Sequence, residues 1–186
     1  VSGDHFIVPG KNLPQKLLLL HSLTARIISI KFSKKTKALK LNGYIIIANS
    51  DIFFDNTLLN LEKTSLQKKV IYALLRFEFK NEKNLNDCKI FGPRNDSQDT
   101  WIFHSKFLPS DNQIIRTNFL LGKAGCDNAI AYLFNDFGFI VFNEPYVIRT
   151  YHYHLSQIRN YTAIDKINPP YLLIKPIERS DLQIRS

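Results

Sequence analysis

The chain has 186 residues, and 25 Lys and Arg stand against 16 Asp and Glu for a net charge of +9. That length predicts one domain with a real core. A hydrophobic content of 45% with 22% charged residues is ordinary for a soluble globular protein. Two cysteines, Cys88 and Cys126, exclude a disulfide framework and a multi-cysteine zinc site, which fits a reducing compartment.

The positive balance attracts polyanions: nucleic acid, an anionic membrane surface or phosphorylated small molecules. The densest basic run, Lys31 to Lys40, holds five lysines with Phe32 as its only aromatic. It reads as a solvated segment able to face an anionic membrane, and nucleic-acid binding is disfavoured. No stretch reaches the roughly 18 apolar residues that span a bilayer, and no charged start leads to a small-residue cleavage site. The expected location is cytoplasmic, or peripheral to a membrane on its cytoplasmic side.

Gly3, Pro9, Gly10 and Pro14 predict an irregular arm over residues 1–16. Residues 17–30 are apolar enough for a short helix or strand, and 31–42 form a polar connection ending in the Asn42-Gly43 turn signal. Tyr44 to Ala48 then reads as a buried strand that stops abruptly at Asn49, Ser50 and Asp51, with a second carboxylate at Asp55. A helix over Thr57–Leu61 follows, capped by Asp55 or Asn56.

Val70 to Phe79 alternates as a single strand, with Ala73, Leu75, Phe77 and Phe79 on one side and Leu74, Arg76 and Glu78 on the other. Residues 80–98 are a polar loop, long enough to be functional or mobile. Thr100 to Phe103 is a central strand, and Gly122 to Gly125 form the next break. From Asp127 the period becomes helical, with Ile130, Leu133, Phe134 and Phe137 on one face and Gly138 as the C-terminal glycine. Phe139–Phe142 is a further strand, closed by Asn143-Glu144-Pro145, and Val147–Tyr153 alternates again. The tail beyond Asn160, with Pro169, Pro170 and Pro176, wraps the surface. Alternating strands and helices predict an α/β layered domain.

Four polar clusters interrupt the apolar pattern, each at an element end. Polar groups at the carboxyl end of a strand sit where open α/β sheets place ligands. Asp51 there can hold a divalent cation that in turn holds phosphate oxygens; Asn49-Ser50-Asp51 also suits a plain turn. His152 and His154 share one strand face, and with a carboxylate they suit Mn²⁺; they equally suit an exposed edge. Asp127 is placed to cap its helix, and a capping carboxylate has a depressed pKa that hinders its use as a base. Gly125 lets another molecule approach the backbone. Cys126 is either a nucleophile or, more in keeping with its surroundings, small buried packing. Asp99 either faces an acceptor or turns the chain before Trp101.

The order of these clusters resembles a family of glycosyltransferase-like proteins. The blocks are Asn49-Ser50-Asp51-Ile52-Phe53-Phe54-Asp55, Ser97-Gln98-Asp99-Thr100-Trp101-Ile102-Phe103, Gly122-Lys123-Ala124-Gly125-Cys126-Asp127-Asn128 and His152-Tyr153-His154. The resemblance spans about residues 43–161 and extends to the A-type glycosyltransferase plan. It implies a mixed central sheet flanked by helices, with a divergent or shortened nucleotide-binding part in 1–42 and a tail in 162–186.

By this likeness Asn49, Ser50, Asp51 and Asp55 bind the nucleotide-sugar donor. Asp51 with His154 or His152 holds Mn²⁺ or Mg²⁺, and Asp127 is the catalytic base. Asp99, Trp101, Gly125, Cys126 and Asn128 are then expected to meet the acceptor, which could be a saccharide, a lipid-linked or a protein hydroxyl. The sequence departs from the usual pattern in reading Asn-x-Asp at 49–51, and only 48 residues precede Asn49. A non-catalytic carbohydrate- or polyanion-binding homologue is the alternative expectation, and a metal-dependent hydrolase the third.

Overall fold

The structure is a computed structural model that describes residues 5–8, 17–21, 42–49, 51–63, 68–80, 83–153 and 166–178. It is a mixed α/β arrangement of two sheets. The larger sheet has the strand order β1 (His5–Val8), β2 (Leu17–His21), β3 (Tyr44–Ala48), β8 (Thr100–His104), β5 (Val70–Leu74) and β9 (Ile140–Phe142). Pairing is parallel between β2 and β3 and between β5 and β9, and antiparallel elsewhere. The smaller sheet runs β4 (Ile52–Phe54), β10 (Thr150–Tyr153), β6 (Phe77–Phe79) and β7 (Lys89–Ile90).

The central strands are buried on both faces, which explains their unbroken apolar runs. Ile45 and Ile47 of β3 point one way, joining Ile71, Ala73, Trp101 and Phe103. That face is covered by helix α2 (Cys126–Asp136) through Ile130, Leu133 and Phe134. Tyr44, Ile46 and Ala48 point the other way, against Leu61 and Ile148. A 3-10 helix over Asn56–Lys63 supplies Leu61 on that second face, in place of the α-helix predicted there. Asp55 starts it by accepting the Thr57 N–H at 2.9 Å. Apart from α2, the only α-helix among the described residues is the short α1 (Asp111–Ile115), so the sheet has fewer flanking helices than the sequence led one to expect.

The predicted strand Val70–Phe79 is two strands in two sheets. The break falls at Leu75 and Arg76. Leu75 donates its N–H to the side chain of Asn143 at 2.9 Å, in place of a ladder partner. The predicted loop 80–98 contains β7 and a 3-10 turn at Leu85–Asp87. α2 behaves as predicted at its end: Gly138, at φ 85°, donates to the Asn135 carbonyl at 2.9 Å.

Residues 166–178 form a strap laid across one end of the larger sheet. Its backbone N–H groups at Ile167, Leu172, Ile174 and Ile177 donate to the carbonyls of Ala124, Asn128, Asn95 and Asn143 at 2.8–3.0 Å. No helix among the described residues is long and apolar enough to cross a membrane.

Candidate active site

β3 and β5 run parallel to each other on either side of β8, so their carboxyl ends meet at one edge of the sheet. The amino end of α2 opens at the same edge. There a cleft of ≈ 760 Å³ is lined from all four polar blocks: Asn49; Ser97 and Asp99; Gly125 to Asn128; and His152. Residues more than a hundred positions apart thus face one space.

A chain of charge-assisted contacts crosses the cleft floor. Asn49 donates its amide to Asp99 Oδ1 at 2.8 Å, and Arg76 Nη1 donates to Asp99 Oδ2 at 2.7 Å. Arg76 Nε reaches Glu78 Oε1 at 2.8 Å. The other Glu78 oxygen lies 3.3 Å from His152 Nδ1, and His152 Nε2 lies 3.0 Å from Asp51 Oδ2. The His152 imidazole therefore sits between two carboxylates. Burial opposes its protonation, but the Asp51 and Glu78 contacts win and its pKa is raised. Burial likewise opposes ionisation of Glu78, and the bonds from Arg76 and His152 win, lowering its pKa.

The Arg76 guanidinium also lies 4.0 Å from the centre of the Phe91 ring, which shields this largely buried cation. Arg76 and Glu78 belong to this network and line the cleft, and the sequence did not single them out. In the sequence they read only as one side of an alternating strand, together with Leu74.

Asp127 is the carboxylate whose position departs most from expectation. The cap of α2 is Gly125, at φ 81° and without a side-chain bond, and the helix begins at Cys126. Asp127 is therefore not the cap. Its carboxylate accepts the Gln98 N–H at 3.4 Å and the Cys126 thiol at 3.0 Å. Burial, with the neighbouring Asp99 charge, pushes its pKa up to about 7, the opposite of the depression a cap produces. Such a group can take up a proton near neutral pH. The Cys126 thiol is itself buried, and burial beside Asp127 pushes its pKa up beyond the range of a useful nucleophile. The nucleophile reading of Cys126 is therefore set aside in favour of packing.

The remaining predicted residues divide clearly. Asn128 lines the cleft and is buried, and its Oδ1 has no hydrogen-bond partner among the described residues. Gly125 does admit a close neighbour, but that neighbour is the chain's own strap: a Cβ there would lie 2.7 Å from the Tyr171 hydroxyl. Trp101 is fully buried in the core beneath α2, so the expectation that it meets an acceptor is corrected. Asp55 is corrected as well. Its oxygens are taken by Thr57 and, at 2.8 Å, by the Tyr151 hydroxyl, which makes it a fastener between β4 and β10. Ser50 and His154 lie outside the described residues.

Asp51 and His152 are one oxygen and one nitrogen donor side by side, a donor type that suits Mn²⁺. Among the described residues no group of three His, Cys, Asp or Glu side chains is arranged to hold a metal ion. A complete site would need a further donor, and His154 was the sequence's nominee.

No family model, curated protein or solved structure matches the chain.

Proposed function

We propose that the cleft transfers a glycosyl group from a nucleoside-diphosphate sugar to a hydroxyl acceptor, in the manner of the A-type glycosyltransferases that the four blocks resemble. One observation carries the reading: Asn49, Ser97, Asp99, Asp127 and His152, drawn from all four blocks, line a single cleft, with Asp127 a carboxylate of raised pKa and His152 backed by Asp51 at 3.0 Å.

In this reading Asp127 accepts the proton of the acceptor hydroxyl as its oxygen forms the new bond to the sugar. The bond to the departing diphosphate breaks with its electron pair going to the phosphate oxygen. Asp51 and His152, with His154, would hold a divalent cation, whose chemistry is to neutralise charge on that leaving group. Arg76, Lys80, Arg94, Lys123 and Lys166 line the same cleft; they add a positive field that favours a phosphorylated donor. Asn49 and Asp99 form the floor beneath the reacting centre.

Titration calorimetry with uridine, guanosine and cytidine diphosphate sugars tests the donor half. Binding of one of them should depend on Mn²⁺ and disappear in Asp51→Ala. Asp127→Asn should keep donor binding and lower transfer by roughly 10²–10⁴-fold, the usual worth of a general base. Absence of Mn²⁺-dependent binding for every donor overturns the proposal.

A further inference from the structure

Asp99 and Asp127 stand on opposite elements of the cleft, one before β8 and one in the first turn of α2, yet they share a short piece of backbone. Asp127 leans on the N–H of Gln98, the residue next to Asp99. The two carboxylates differ in how they are held. Both oxygens of Asp99 carry a strong donor, Asn49 on one and Arg76 on the other. Asp127 receives a long N–H bond and a thiol, both weak. Asp99 is thus a fixed negative charge and Asp127 the loosely held partner. When two carboxylates crowd one site, the less well-bonded one gains the higher proton affinity.

We propose that Asp99, clamped between Asn49 and Arg76, is a positioning residue that tunes Asp127 to accept a proton. The inference rests on the reading of Asp127 as the base. Arg76 is central to it, because one guanidinium serves Asp99 through Nη1 and Glu78 through Nε. It ties the proton-accepting side of the cleft to the Glu78–His152–Asp51 side. The other charges facing Asp127 do not cancel the effect. Arg94 is forked onto Asp96 through two bonds at 2.8 and 2.9 Å. Lys166 lines the cleft from an exposed position, where water screens it, and Lys123 lines it half-buried.

The deciding measurement is a carbon-detected NMR titration of the Asp127 carboxyl in the intact chain and in two variants. Asp99→Asn should lower the Asp127 midpoint by about one pH unit, a tenfold loss of proton affinity. Arg76→Gln removes the cation that offsets Asp99 and should move the midpoint the other way, upward. A purely structural role for either residue would not give shifts of opposite sign. An unchanged or raised midpoint in Asp99→Asn overturns the proposal. If that variant does not fold, the absence of a rise in Arg76→Gln overturns it instead.

The same titrations separate this inference from the proposed reaction. Opposite shifts in a chain that transfers no sugar leave the carboxylate pair standing and sink the transferase reading. Transfer whose acid limb ignores Asp99→Asn does the reverse.

Discussion

Asp127 occupies the second position of α2, where a negative charge ordinarily gains about 0.3–1 kcal/mol from the free amides of the first turn. Burial and the Asp99 charge outweigh that gain, since the net shift is upward. The stability consequence has a definite sign. A carboxyl whose folded pKa is raised favours folding while protonated, and that favour is lost as pH climbs from the unfolded value to the folded one. The window here runs from the ordinary carboxylate range near 3.8 up to about 7. Asp127→Asn should therefore be more stable than the native chain at pH 8, by about 1–3 kcal/mol once water at the cleft mouth is allowed for. The advantage should shrink toward pH 4. Urea denaturation across that range checks it, and an advantage that does not change with pH would contradict the raised pKa. A residue that weakens the fold where it acts is a familiar mark of a functional position.

At the scale of elements, Asn143 does the joining. It is fully buried, accepts the Leu75 N–H at 2.9 Å, and donates its amide to the Ile174 carbonyl at 3.0 Å. It thereby fixes the point where the chain leaves the larger sheet for the smaller one, and holds the strap to the same point. Asn143→Ala leaves two backbone groups without partners, each worth about 1–3 kcal/mol when buried. A loss of roughly 2–4 kcal/mol is expected, with the amides of Leu75 and Ile177 exchanging faster than those of β3. Uniform exchange across the sheets would show that the junction is not a separate unit.

This junction also marks where sequence reasoning ended. β3, β8, β9 and α2 were legible because their apolar residues repeat at the period of the element they form. The alternation of Ala73, Leu75, Phe77 and Phe79 runs on through the break, so nothing local reveals that Leu75 is the turning point. Its partner lies 68 positions away. Arg76 and Glu78 were hidden by the same accident, since they read only as one side of that alternating strand. The gathering of Asn49, Asp99, Asp127 and His152 was anticipated through the order of their blocks. Trp101 and Asp55 were drawn in with them, because burial is not written in a motif.

For the molecule as a whole, the strap supplies one wall of the cleft through Lys166 and Tyr171. It is seated against Gly125, whose φ of 81° and nearby Tyr171 hydroxyl leave no room for a side chain. Gly125→Ala meets two costs: the left-handed backbone, about 1–2 kcal/mol, and the contact with Tyr171 and the Ile167 carbonyl. Part of the second cost can be relieved by moving the strap. The variant should lose roughly 1–3 kcal/mol of stability and become cleavable by protease within 166–178 at concentrations that spare the native chain. Adding Tyr171→Ala should restore some of the stability and none of the backbone cost. Equal stability of the single and double variants would show that the strap does not press on Gly125.

The strap's attachments carry one more implication. Ile167, Leu172, Ile174 and Ile177 are held through their main-chain N–H groups, a kind of anchor that any residue except proline can provide. The side chains that turn from the strap into the cleft, Lys166 and Tyr171, are separate from those four anchors. Lys166 can therefore be exchanged while the wall stays in place. The strap thus resembles an interchangeable panel, through which the chain could change what it accepts and keep the frame that holds Asp51, Asp99 and Asp127.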